Sequence, residues 1–225
     1  MANSPKTFVF LDLETTGLKG DLPKITEICL VAVHLSSLEN RVTDEAGQLE
    51  LPRILDKMCL CVDPGKPITS YASEITGLSN NNLVKNEKQD FNPCLVHIIN
   101  EFLSRQAQPV CFVAHNGFLF DFPLLKTELQ KQEGTSLTSS LLCMDTVEVF
   151  KFLDMQVGIR RESRDYAQAQ IYRRAYRKPP QNCHNAEGDV LALIMIFLSK
   201  ADQILEKETM SNNCMRWGEI SPMYG

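Results

Sequence analysis

The sequence has no apolar run of about 18 residues, the length a membrane-spanning helix needs. Its opening stretch, MANSPKTFVFLDLE, holds only a short apolar run that ends in carboxylates, so no cleavable leader is read there. No C-x-x-C pair occurs among the eight cysteines, which speaks against a zinc site. Internal repeats and low-complexity tracts are also missing. Nor is there a surplus of positive charge. With 23 basic and 28 acidic residues the net charge is −5, which excludes a generally sticky, histone-like binder.

What is present is ordinary globular material: 225 residues, 44% hydrophobic and 23% charged. That is enough for one sizeable α/β core, and it excludes a disordered tail, a collagen, a coiled coil and a disulfide mini-scaffold. The cysteines (Cys29, Cys59, Cys61, Cys94, Cys111, Cys143, Cys183 and Cys214) mostly fall in runs such as EICLVAV, MCLCV and VCFVA. They read as reduced core thiols.

Apolar runs predict strands at 8–18, 27–38, 57–67, 110–116 and within 141–150. The third run alternates Met58, Leu60 and Val62 and ends at Pro-Gly, the pattern of a half-exposed edge strand. Helical spacing predicts a short helix and turn at 73–83, then helices at 91–107, 120–132 and 186–205. The polar stretches 39–56 and 154–183 read as loops, the latter a basic, mobile segment. Strands come first and then alternate with helices, so the expectation is a single α/β domain over 1–225 with a five-stranded mixed sheet flanked by helices.

Chemistry enters through acids placed where acids are costly. Asp12 and Glu14 end an apolar strand, two residues apart and therefore on one face. Two such carboxylates repel one another unless a cation sits between them. Asp121 opens the helix after VCFVAHNG. His184 precedes the last helix, and Asp189 lies near that helix's first turn beside Gly188, a residue that permits close approach. Taken singly, each has an ordinary explanation: a solvated strand end, a carboxylate at a helix start, a surface histidine.

Taken together they do not. Four hard oxygen ligands suit Mg²⁺ or Mn²⁺. Two such ions about 3.5–4 Å apart clamp a phosphodiester. A neighbouring histidine adds a base that can take a proton from the attacking water.

The order D-x-E, mid-chain Asp, then His-x4-Asp resembles the DEDDh 3′→5′ exonucleases of the ribonuclease-H-like fold. The strings FVFLDLETTGL, SSLEN, SEITGLS, FLSRQ, VAHNGFLFDFPLL, HNAEGDVLAL and EISPMY carry the resemblance over nearly the whole chain, more narrowly to the three-prime repair exonucleases. The stop near residue 225, without an apolar anchor, resembles the shorter of the two paralogues in that family.

The resemblance implies that Asp12, Glu14, Asp121 and Asp189 hold two Mg²⁺ ions, with Mn²⁺ as a substitute, and that His184 is the general base. It implies that Glu14, Thr15, Leu18, Ile75, His115, Asn116, Phe120 and Asp189 line the substrate. Leu18 would act as a wedge against the terminal base and Ile75 as the opposite wall. Three places depart from the family pattern: Phe120 stands where a tyrosine is usual, Leu119 where polar residues are, and DYAQAQIYRRAY (165–176) replaces an expected Ser-Leu-Gly turn.

Charge is unevenly spread. Residues 151–180 hold eight basic and three acidic residues, a local +5 against −10 for the remainder. Arginines interleaved with Tyr166, Tyr172 and Tyr176 suit a phosphate backbone with stacking. By the resemblance, Arg160, Arg161 and Arg164 are the DNA-binding loop arginines. It further implies a homodimer joined through the 57–64 edge strand, no membrane, and a nuclear location.

The function expected is hydrolysis of the terminal phosphodiester of single-stranded or mispaired 3′ DNA ends to deoxynucleoside 5′-monophosphates. The alternatives are an RNA 3′→5′ exonuclease, whose site chemistry would be the same, and a catalytically weakened nucleic-acid-binding module.

Overall fold

A computed structural model describes residues 4–132, 137–138 and 141–224. Residues 1–3 and 225, at the two ends of the expected domain, lie outside the described residues. The organising element is β1 (Thr7–Thr15), a run rich in aromatic and branched side chains that is buried almost throughout. It pairs antiparallel with β2 (Ile25–His34) and parallel with β4 (Val110–Ala114).

Outside β2 lies β3 (Asp56–Cys61). Outside β4 lie β5 (Leu142–Asp145) and β6 (Cys214–Arg216), giving the order β3-β2-β1-β4-β5-β6. The sheet is mixed, as expected, but has six strands rather than five. The missed strand β6 is three residues long and lies antiparallel to β5. A tripeptide carries no periodicity to read, and its strand character comes from the partner. Placement of β3 at the edge agrees with its alternating pattern.

The helices are α1 (Leu35–Glu39), α2 (Ser70–Thr76), α3 (Asn80–Lys85), α4 (Pro93–Ser104), α5 (Asp121–Gln130), α6 (Thr146–Gln156), α7 (Gln168–Tyr176), α8 (Ala186–Leu198), α9 (Ala201–Ile204) and α10 (Lys207–Asn213). Three expectations change here. The short helix and turn read over 73–83 are followed by a second helix: α2 ends at Gly77, which takes the left-handed conformation that caps it, and α3 begins at Asn80. The long helix over 186–205 is interrupted at Ser199 and Lys200, and it is not the last element. The stretch 154–183, read as a loop, contains α7 and a 3-10 turn over Ser163–Tyr166.

Helix α7 forms because Ile171 and Tyr176 bury one face, while Tyr172 and Tyr176, one helical turn apart, bring their rings to 4.8 Å. Stretch 39–56 follows its loop reading apart from α1's last residue, β3's first residue and a lone bridge between Thr43 and Leu49.

Alternation along β1 divides the core. Val9, Leu11 and Leu13 face one layer with Phe112, Phe122 and Trp217. Phe8 and Phe10 face the other, where both rings contact Phe197 of α8 at 5.6 and 5.3 Å. Asp12 and Glu14 share the parity of Phe8 and Phe10, so they emerge on the α8 side. The β1–β2 register shifts between Glu14 and Thr15, a bulge that ends regular pairing where the acids stand. The cysteines divide as well. Cys29, Cys111 and Cys143 are core thiols, but Cys59, Cys94 and Cys183 are exposed, and all eight are free.

Candidate active site

Asp12, Glu14 and Asp189 converge: one carboxylate oxygen from each lies within 4.8 Å of the others. β1 supplies the first two and the first turn of α8 the third. Asp121 is buried at the start of α5, close enough for its charge to be felt at Asp12. Burial raises the carboxyl of Asp12 well above the usual range, and the charges of Asp121, Asp189, Glu14 and Glu27 raise it further. Burial likewise raises Glu14 to about 7 and Asp121 to about 8. Asp189 is raised by burial, against a backbone hydrogen bond from His184 that lowers it. Four acids concentrated at low dielectric, with oxygen donors only in the converging group, form a site suited to a hard divalent cation.

Short local devices fix these groups. Asn185 caps α8, its side chain accepting from the Gly188 amide at 3.2 Å. The His184 amide donates to Oδ2 of Asp189 at 2.7 Å, with His184 itself at a φ of 63°. Gly188 is required here, because a Cβ on it would stand 2.1 Å from the Asn182 carbonyl oxygen. The close approach read from the sequence is therefore that of the 182–184 loop onto α8. The His184 side chain is exposed on that loop.

The remaining site residues are placed as follows. Thr15 is buried, and its hydroxyl donates to the Gly17 carbonyl at 2.8 Å. Leu18, just past the strand, is 65% exposed, while Ile75 is half-buried on α2. Phe120 is the residue before α5 and packs against the core. Asn116 takes a φ of 60°. His115 is half-buried, with Nδ1 2.8 Å from Thr146 Oγ1, and burial depresses it to about 4, so it is neutral near pH 7.

Two acids were not singled out from the sequence. Asp145 is buried, and its carboxylate accepts from the amides of Asn116 at 2.9 Å and Phe118 at 3.0 Å, holding the loop that leads to Asp121. It also accepts from Val147 at 2.9 Å, capping α6. An Asp that closes a strand and is followed by a helical pattern is a capping signal that could have flagged it. Glu27 lies opposite Glu14 across the sheet and accepts from the Ala186 amide at 3.2 Å, tying β2 to the start of α8. Nothing in the local sequence marks that role.

The basic segment is less free than expected. Arg161 pairs with Asp154 at 2.8 Å, and Arg164 pairs with Glu162 at 2.8 Å on the surface. Arg160 has no ion pair among the described residues. Tyr166 and Tyr176 are buried, so they cannot offer ring faces to bases. The tyrosines follow the arginines because they anchor α7 and the turn before it.

The sequence matches the family model described as Exonuclease over residues 9–197. It is 46% identical to mouse "Three prime repair exonuclease 2", across 100% of this chain and 96% of that protein. It is 40% identical to human "Three-prime repair exonuclease 1", across 98% of this chain and 71% of that protein. Among solved structures, the nuclease domain of 3′hExo, a DEDDh family member bound to rAMP, superposes with a TM-score of 0.66 at 9% identity, covering 89% of this chain and 94% of that one. Escherichia coli exonuclease I with a dT13 oligonucleotide gives 0.63 at 16% identity, covering 88% and 42%. At such identities the structural likeness speaks for the fold, which is ribonuclease-H-like. No described helix is long and apolar enough to cross a membrane. With the acids gathered at the end of β1 and the likeness running the length of the chain, this protein belongs to the exonuclease family and, within it, to the three-prime repair exonucleases.

Proposed function

We propose that the chain is one exonuclease domain that removes deoxynucleoside 5′-monophosphates from 3′ ends of single-stranded or mispaired DNA. The observation that carries this reading is the convergence of the Asp12, Glu14 and Asp189 carboxylates, with the charges of Asp121, Asp189, Glu14 and Glu27 raising Asp12. Asp12, Glu14, Asp121 and Asp189 are the residues that would hold two Mg²⁺ ions. Bound there, the ions neutralise the carboxylates and polarise phosphate and water oxygens.

The chain's own groups do the rest. His184, exposed on its loop, takes the proton of the attacking water at its imidazole and passes it to solvent. The water oxygen bonds to phosphorus, and the bond to the 3′-oxygen of the penultimate nucleotide breaks, that oxygen taking a proton from solvent to become the new 3′-hydroxyl. Leu18 and Ile75 hold the terminal base between them, so ends that are already unstacked enter at least cost. His115 and Asn116 line the approach. Phe120 offers a ring face where a hydroxyl would otherwise reach the phosphate. Arg160, Arg161 and Arg164 engage the strand upstream.

Edge strand β3, with its free backbone groups, supports a homodimer through 57–64 that continues the sheet, and the repair relatives support a nuclear location. Light scattering at micromolar concentration tests the dimer, and a monomer mass overturns it.

The decisive assay is degradation of a 3′-labelled single strand with Mg²⁺, beside an RNA of the same sequence. Stepwise release of 5′-monophosphates from DNA, abolished in Asp189→Ala, is the expected result. Faster turnover of the RNA would reassign the substrate. Binding without cleavage would reduce the protein to a nucleic-acid-binding module.

A further inference from the structure

Cys29 of β2 and Cys59 of β3 stand directly opposite one another in the antiparallel ladder. Directly opposed residues project from the same face, with Cα atoms about 4.5–5.5 Å apart. That separation lies inside the range disulfides span, about 4.4–6.8 Å. The two thiols are close enough for each to act on the other's protonation. Their exposures are opposite: Cys29 is wholly buried and Cys59 is exposed.

We propose that Cys29 and Cys59 form an oxidisable dithiol, which closes to an intrachain disulfide by exchange with a low-molecular-weight disulfide such as oxidised glutathione. Cys59 is the attacking thiol. It is accessible, and the neighbouring Cys29 thiol and the Lys57 ammonium favour its thiolate, against burial and the Glu187 and Glu27 carboxylates. Cys29 is the resolving thiol, directly opposite on the neighbouring strand and shielded from direct reaction by burial.

The exchange balances in two steps. The Cys59 sulfur attacks one sulfur of glutathione disulfide, that S–S bond breaks, and one glutathione thiolate leaves and takes up the proton Cys59 lost. Cys29 then loses its proton and attacks the Cys59 sulfur, releasing the second glutathione as thiol. Two electrons pass from the protein to the glutathione pair.

Geometry selects this partner over others. Cys61 is two residues along the same strand and lies opposite Glu27. Cys94 and Cys183 are exposed but have no thiol partner among the described residues, and Cys183 contacts the Pro180 carbonyl instead. Edge-to-edge pairing of β3 would use its backbone groups and leave the Cys59 side chain on the sheet face. The row Asp12, Cys29, Cys59 runs straight across three strands, so the bond would tie the edge strand to its neighbour beside the acid cluster.

The test treats the folded full chain with oxidised glutathione, quenches with acid, alkylates and maps peptides. Loss of two of the eight thiols is expected, with one crosslink joining the Cys29 and Cys59 peptides and full recovery on reduction. Cys59 should react about tenfold faster than Cys94 or Cys183. Cys29→Ser should stop at a persistent glutathione adduct on Cys59, and Cys59→Ser should leave Cys29 unmodified. Equal reactivity at Cys94 or Cys183, a Cys59–Cys61 link, or a Cys59–Cys59 link between copies would overturn the proposal. The map of the unmutated chain decides alone if Cys29→Ser does not fold.

Discussion

The His184 amide donates to a carboxylate oxygen of Asp189 at 2.7 Å, so the histidine loop and the acid cluster are braced against each other. Gly188 makes that brace possible, because a Cβ there would meet the Asn182 carbonyl oxygen at 2.1 Å. Gly188→Ala should displace the 182–184 loop and lower kcat by about 100-fold, the scale of an ångström-sized misplacement. The helical circular dichroism should stay native. Undiminished turnover would show that the loop position is immaterial to the reaction.

His184 and Asp189 should separate in their effects. His184→Ala is expected to lower kcat by about 10²–10⁴ while divalent-cation affinity, measured by calorimetry, holds. Asp189→Ala should lose both. A cation affinity that falls equally in the two variants would remove the base assignment.

Stability should depend on pH in an unusual sense when cations are withheld. Glu14, raised to about 7, and Asp121, raised to about 8, keep their protons in the native state above the pH at which the unfolded chain releases them. Their stabilising contribution is complete below the ordinary carboxylate range and is lost as pH climbs through the native values. Tm should therefore drop between about pH 6.5 and 8.5, by roughly 2–4 °C for each kcal/mol lost. His115, depressed to about 4, has the opposite sense, and its contribution falls below this window. Mg²⁺ should raise Tm more at the alkaline end. A cation-free Tm that is flat across the window would contradict the crowding of acids.

The arginines should prove unequal. Arg161 and Arg164 already hold carboxylates, whereas Arg160 has no ion pair among the described residues. Arg160→Ala should reduce the salt slope of single-strand binding by about 0.7, one phosphate's worth, and the other two by less. Three equal decrements would mean that the ion pairs open on binding.

Phe120→Tyr tests the departure at the head of α5. A restored hydroxyl able to make one hydrogen bond, about 0.5–1.5 kcal/mol, should speed turnover roughly two- to tenfold. A slower enzyme would show that the ring is fitted to this site as it stands.

The cluster was legible in the sequence only as a combination, because each acid alone has an ordinary explanation while the order D-x-E, mid-chain Asp, His-x4-Asp does not. Strand periodicity put Asp12 and Glu14 on one face and helix starts placed Asp121 and Asp189, but it took all four with His184, and the family resemblance, to single them out. Asp145 and Glu27 were not legible in the same way. Their work is to accept amides from segments distant in sequence, and only the assembled sheet brings those amides near. The tyrosines of 165–176 misled for a related reason. An aromatic beside an arginine serves stacking or anchoring equally well until its burial is known. β6 failed through brevity, since pairing with β5 defines it.

Gln168, the first residue of α7, donates through its side chain to the Asp189 backbone carbonyl at 2.8 Å. Just upstream, Tyr166 and Arg161 both fasten to Asp154. The arginine-bearing stretch is thus a strut rather than a tether, with its far end seated on the residue that closes the acid cluster. Under the proposed roles of these residues, a strand drawn against the arginines would pull on Asp189 through that strut, so grip and cut would share one mechanical part.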